Sequence, residues 1–76
     1  MRVYACIFIT TKSPRKVVKI IRKIPGVARA DALFGRPDAI AIGEGEDVAS
    51  MDRVIDSIVE VPEVLATDSK VARWIG

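Results

Sequence analysis

Residues 24–41 read I-P-G-V-A-R-A-D-A-L-F-G-R-P-D-A-I-A, and their order decides the fold. Proline cannot continue a helix, and glycine accepts the dihedrals of a helix exit, so Pro25-Gly26 closes the helical pattern that precedes it. Residues 27–34 then read as a strand, Gly35-Arg36-Pro37-Asp38 as a turn, and residues 39–43 as the returning strand. This is a β-hairpin with a polar tip at the centre of the chain. A site is expected on or beside that tip.

Toward the N-terminus, residues 2–11 (R-V-Y-A-C-I-F-I-T-T) are β-branched and aromatic and form a first strand. Both faces of it are apolar: Val3, Ala5, Ile7 and Ile9 on one, Tyr4, Cys6 and Phe8 on the other. A strand apolar on both faces is covered on both. The helices can take one face, so a second subunit is expected on the other. Ser13 suits an N-cap and Pro14 the first helical position, which starts a helix there. Val17, Val18, Ile20, Ile21 and Ile24 make its apolar stripe, and Arg15, Lys16, Lys19, Arg22 and Lys23 fill the rest. With no aromatic residues interleaved, this basic face reads as solvated surface in preference to a nucleic-acid patch.

Toward the C-terminus, Gly43-Glu44-Gly45-Glu46-Asp47 is a short acidic loop. Its two glycines are no dinucleotide fingerprint, since the third is missing. Its carboxylates are better suited to the positive end of the next helix than to a metal. That helix spans 48–61, with Val48, Met51, Val54, Ile55 and Ile58 inward and Asp52, Arg53, Asp56 and Glu60 outward, and Pro62 ends it. Residues 64–75 form the last strand. Leu65, Thr67, Ser69 and Val71 lie on one face, Ala66, Asp68, Lys70, Ala72 and Trp74 on the other.

The order is β-α-β-β-α-β, and K-I-P-G-V-A-R-A after the first helix is echoed by E-V-P-E-V-L-A-T after the second. Two such halves make a single domain over 1–76 of the α+β class. The expected architecture is a ferredoxin-like plait, a four-stranded antiparallel sheet with both helices on one face.

Composition narrows the function. Half of the 76 residues are hydrophobic, which is rich for a core near the lower size limit and again suggests apolar surface covered by another subunit. The net charge of +2, from 12 basic and 10 acidic residues, is too balanced to argue for nucleic acid. Cys6 is the only cysteine, which excludes an internal disulfide and a zinc cluster and fits a reducing cytoplasm. No apolar run approaches the ~20 residues of a bilayer span, and no signal-peptide cleavage pattern is present. A cytoplasmic location without membrane contact is expected.

No residue set points to catalysis. There is no histidine, Cys6 has no cationic neighbour to activate it, and the serines and threonines lack a base partner. A non-enzymatic protein without metal or cofactor is expected. Within the plait, an RNA-binding module needs aromatics on both central strands, and Ala39-Ile40-Ala41-Ile42 has none. A metallochaperone needs a C-x-x-C. An acylphosphatase-like enzyme needs an anion-cradling loop, to which Pro14 contributes no N–H.

The series of an apolar strand ending in Thr10-Thr11, a helix, I-P-G-V, a strand running into G-R-P-D, an apolar strand, a second helix, a proline-marked exit and a strand opening on Thr67 resembles the effector-binding (RAM) domain of the Lrp/AsnC regulators. The resemblance covers nearly the whole chain and takes the stand-alone form, without the helix-turn-helix that reads DNA. It implies an amino-acid sensor, a homo-oligomer that dimerises through facing sheets and assembles further, up to octamers. It further implies a role in transcriptional or amino-acid-metabolism regulation, association with full-length Lrp/AsnC regulators, and no DNA contact of its own. The resemblance places the ligand between dimers, held by the hairpin tip and the start of the last strand. By position, Gly35 and Asp38 match the family's G-x-x-D turn, and Thr67 and Ser69 its hydroxyl positions. Asp38 would pair with an α-ammonium group, Gly35 would admit close backbone approach, and the hydroxyls would bond a carboxylate or amide. Two positions depart from the pattern: Pro37 stands where an aromatic is common, and the second exit is P-E-V. The competing readings are an ACT-like regulatory domain, a purely structural oligomerisation module and a dimeric α+β barrel enzyme.

Overall fold

The computed structural model describes residues 2–73. Its elements run β1 (Val3–Thr11), α1 (Pro14–Ile21), β2 (Val27–Ala32), β3 (Ala39–Gly45), α2 (Val48–Val59) and β4 (Val64–Arg73). They form one antiparallel sheet in the order β2-β3-β1-β4, with the helices on one face. This is the ferredoxin-like plait that the alternation of patterns predicts.

The inward row of β1 makes the core. Ala5, Ile7 and Ile9 are fully buried and Val3 nearly so, against Val17, Val18 and Ile21 of α1 and Met51, Val54 and Ile58 of α2. Because directly paired residues share a face, the register extends both rows across the sheet. Ile9 pairs with Thr67, Ile7 with Ser69 and Ala5 with Val71, which puts those β4 residues on the helix side. Phe8 pairs with Asp68 and Ile40, and Cys6 with Lys70 and Ile42, which puts these on the opposite face.

Several element ends differ from the sequence pattern. Helix α1 stops at Ile21, before Pro25, with Arg22 as its C-cap. From there Lys23 donates to the Ile20 carbonyl (3.1 Å), Ile24 to Ile21 (3.0 Å) and Val27 to Ile24 (3.1 Å). These tight turns satisfy carbonyls that a helix end would otherwise leave open. Ser13 precedes α1 but makes no side-chain cap; its own N–H donates to Thr11 Oγ1 at 3.1 Å. Strand β2 ends at Ala32, which releases Leu33 and Phe34 into the hairpin tip. Strand β3 runs on through Glu44 to Gly45, so three of the five residues of the expected acidic loop are strand, and Glu44 lies 3.9 Å from Arg2. Helix α2 ends at Val59, and Val48 is exposed instead of inward. Trp74 and Ile75, expected to end β4, lie outside the described residues.

Asp47 does complement the start of α2. Its Oδ1 accepts from the Ser50 N–H and from Ser50 Oγ, both at 2.8 Å. The Ser50 N–H bond, and then the hydroxyl bond, hold the Asp47 carboxyl below its ordinary pKa. The repeated exits also match in three dimensions. Gly26 has φ +94°, and Glu63, at the same place in the second half, has φ +77°.

Two outcomes follow from this packing. Gly26→Ala is expected to destabilise by about 2 kcal/mol or more in urea denaturation, because the left-handed dihedral disfavours a Cβ. That Cβ would also fall 2.5 Å from Val54 Cγ2. Asp47→Asn is expected to flatten the acid limb of the stability curve. A lowered folded-state pKa stabilises above the ordinary carboxylate range, and the benefit is lost as the pH falls through the lowered value. An acid limb identical in the two proteins would count against the cap.

Candidate ligand-binding site

The hairpin tip is fixed to the end of β1 by one residue. Asp38 donates its N–H to the Ile9 carbonyl (3.0 Å), and its carbonyl accepts from the Leu33 N–H (2.9 Å). Its carboxylate Oδ2 accepts from the Thr11 N–H (3.0 Å). The pairing of β1 with β3 ends at Ile9 and Ala39, so the N–H of Thr11, two residues further along the same edge, finds its acceptor in the tip. Asp38 therefore closes the hairpin and caps the central strand at once. Within the tip, Gly35 has φ +96°, the Arg36-Pro37 bond is cis, and Phe34 is fully exposed. A Cβ on Gly35 would meet nothing within 4 Å, so its left-handed backbone is what calls for glycine.

Two clefts adjoin under the tip and share Thr10 and Arg36. One, of about 520 Å³, is lined by Phe8, Pro37, Thr67 and Asp68 among others. The second, of about 470 Å³, includes Thr11, Lys12, Asp38 and Leu65 in its wall. Asp68 is 3.2 Å from Lys70 Nζ, while Lys12 and Arg36 make no ion pair among the described residues. A separate hollow of about 470 Å³ lies at the far end of the sheet, between Gly26, Gly45 and the Arg53 side of α2.

Of the residues singled out in the sequence, Asp38 and Thr67 line adjoining clefts, and Gly35 shapes the tip above them. Ser69 lines neither cleft. It sits on the helix side of β4, and its hydroxyl is buried without a partner. Sequence reasoning missed Thr10, Lys12 and Arg36 as cleft residues. Arg36 stands inside the G-R-P-D turn itself, and its charge was the available signal. Among the described residues, no group of three or more His, Cys, Asp or Glu could hold a metal ion. No described helix is long and apolar enough to cross a membrane.

The model of the Lrp/AsnC ligand binding domain family matches residues 2–72. The chain belongs to that family. It is a family of regulatory effector-binding domains, not of enzymes. A hypothetical protein of Pyrococcus horikoshii, PHS023, superposes with a TM-score of 0.85 at 25% identity, over 96% of this chain and 92% of that one. FFRP-DM1 does so with a TM-score of 0.82 at 26% identity, over 93% and 99%. The transcriptional regulator NMB0573 of Neisseria meningitidis, solved with L-Met, has a TM-score of 0.75 at 22% identity, over 95% of this chain and 50% of its own. At that identity the likeness shows the fold, and this chain spans half of the regulator's length. No curated protein matches the sequence significantly.

Removing the Asp38 carboxylate leaves the N–H of Thr11, a buried residue, without its acceptor. Asp38→Ala is expected to cost about 1–3 kcal/mol in denaturant unfolding, and Asp38→Asn, which keeps a carbonyl acceptor, less. Equal stabilities for all three proteins would show that the bond contributes nothing.

Proposed function

We propose that this domain is an oligomeric, cytoplasmic sensor of an amino acid that acts in transcriptional or amino-acid-metabolism regulation. It pairs with copies of itself and with full-length Lrp/AsnC regulators, and does not touch DNA directly. One observation carries the reading: the sheet face away from the helices is apolar, and a cleft opens from its end under the hairpin tip. Tyr4, Cys6, Phe8, Ile40 and Ile42 occupy that face, with Tyr4 still 42% exposed. Arg29 and Asp31 border it on β2, and Asp68 and Lys70 on β4. An apolar centre with a charged rim has the anatomy of a protein interface, and a second copy of the same sheet is its natural cover. Phe34, Leu33 and Leu65, exposed at the tip end, favour a further contact between dimers there. The L-Met bound to the Neisseria regulator supports an amino acid as the ligand class.

In this reading Asp38 receives the α-ammonium group on the oxygen that Thr11 leaves free, and Gly35 keeps the tip open to the ligand. Thr67 offers its hydroxyl at the cleft, while Ser69, with its hydroxyl buried on the helix side of β4, stands outside it. Phe8 belongs to both the open face and the cleft, which links occupancy to assembly. A ligand shifts assembly only by its differential affinity for the assembled form over the free one.

The test is multi-angle light scattering with and without a panel of common amino acids. A dimer or larger ring whose mass responds to one amino acid is expected, and Ile42→Glu, which puts a charge in the open face, is expected to halve the dimer mass. An oligomer indifferent to every ligand would identify a structural module instead. A wild-type monomer would overturn the facing-sheet reading.

A further inference from the structure

The smaller of the two tip clefts carries more positive charge than a neutral amino acid can use. Its charged walls are Lys12, Arg36 and Asp38. Both cations are exposed and lack an ion-pair partner among the described residues. Asp38 already gives Oδ2 to the Thr11 N–H, which leaves Oδ1 as its free acceptor. A zwitterion placed with its α-ammonium on Oδ1 and its α-carboxylate on one cation leaves the second cation without a partner. A bound ligand takes water from that cation and gives nothing back, an unfavourable exchange.

We propose that this cleft selects an amino acid with an acidic side chain, glutamate or aspartate, over the corresponding amide. The inference rests on the amino-acid-sensor reading above and adds the class of side chain. The second carboxylate answers the second cation, so the ligand's charge of −1 neutralises the net +1 of the three charged wall residues. Each charge-assisted bond is stronger than its neutral counterpart. The cleft's volume of about 470 Å³ is that of a small-molecule site. Arg15 and Lys19 on α1, and Lys23 just beyond its end, also lack ion pairs among the described residues. The field of this basic helix adds to the attraction for an anion.

The glutamate–glutamine and aspartate–asparagine pairs differ in charge at nearly constant shape, which makes them the probes. In isothermal titration of the whole protein, the acid of at least one pair is expected to bind about tenfold tighter than its amide, as one added charge-assisted bond confers. Raised salt is expected to shrink that ratio, because the cleft is open to solvent. Lys12→Gln and Arg36→Gln, both exposed positions checked for folding by circular dichroism, divide the two roles. One is expected to bring the acid–amide ratio to near one, and the other to weaken both ligands together. An amide that binds as well as its acid, or a ratio that survives both substitutions, overturns the inference. Binding of leucine or methionine without either acid also overturns it, yet leaves the sensor reading standing. A protein that binds no amino acid overturns both.

Discussion

The structure depends on one strand that is hydrogen-bonded along both edges and apolar on both faces. β1 pairs with β3 on one side and β4 on the other, so it lies in the middle of the sheet. Its inward row of Val3, Ala5, Ile7 and Ile9 has essentially no exposed surface. Such a row is stable only under close-packed helices, and both helices are used to cover it. None is left for Tyr4, Cys6 and Phe8 on the other side. The second subunit proposed above would cover the face that the helices leave open.

The same strand accounts for the place of the clefts. Beyond Ile9 and Ala39 the pairing of β1 with β3 ends, and the hairpin tip takes over that edge. A single carboxylate, that of Asp38, meets the Thr11 N–H left without a β3 partner there. The tip is therefore held by strand-end chemistry that the fold requires in any case. Its own loop is left to carry Gly35, Arg36 and the exposed Phe34. Residues that support the fold and residues free to meet a ligand alternate within a few positions of one another.

The two halves of the chain solve one problem with different residues. Each helix is followed by a proline-marked exit in which a residue turns to positive φ and the next N–H bonds back to the residue before the proline. Gly26 is followed by Val27 bonding to Ile24, and Glu63 by Val64 bonding to Val61 at 3.2 Å. Glycine is demanded at the first exit because Val54 lies against it. At the second, a glutamate tolerates the dihedral and reaches Lys16 Nζ at 3.4 Å. The helix starts also differ. Asp47 caps α2 with its side chain, whereas Ser13 leaves α1 to begin on Pro14.

Much of this is legible in the chain because it is local. Alternation along residues 3–9 reveals a strand and its two faces, the spacing of Val17, Val18 and Ile21 reveals a helix, and Pro25-Gly26 marks an exit. Each signal spans only a few residues. The early end of α1 escaped because its last turns tighten while the apolar stripe runs on to Ile24. Periodicity alone places Val48 inward, but it does not register where a helix end leaves the sheet. The candidate site was legible only in part, as the tip with Gly35 and Asp38 and as Thr67 in the adjoining cleft. That Asp38 meets Thr11, 27 residues away, that Lys12 and Arg36 share a cleft, and that Ser69 faces the helices while Asp68 faces the open side were decided by tertiary structure. The physical reason is register: the sequence by itself determined which residues alternate along each strand, but which strands meet, and at which offset, is settled only when the whole sheet closes over its core.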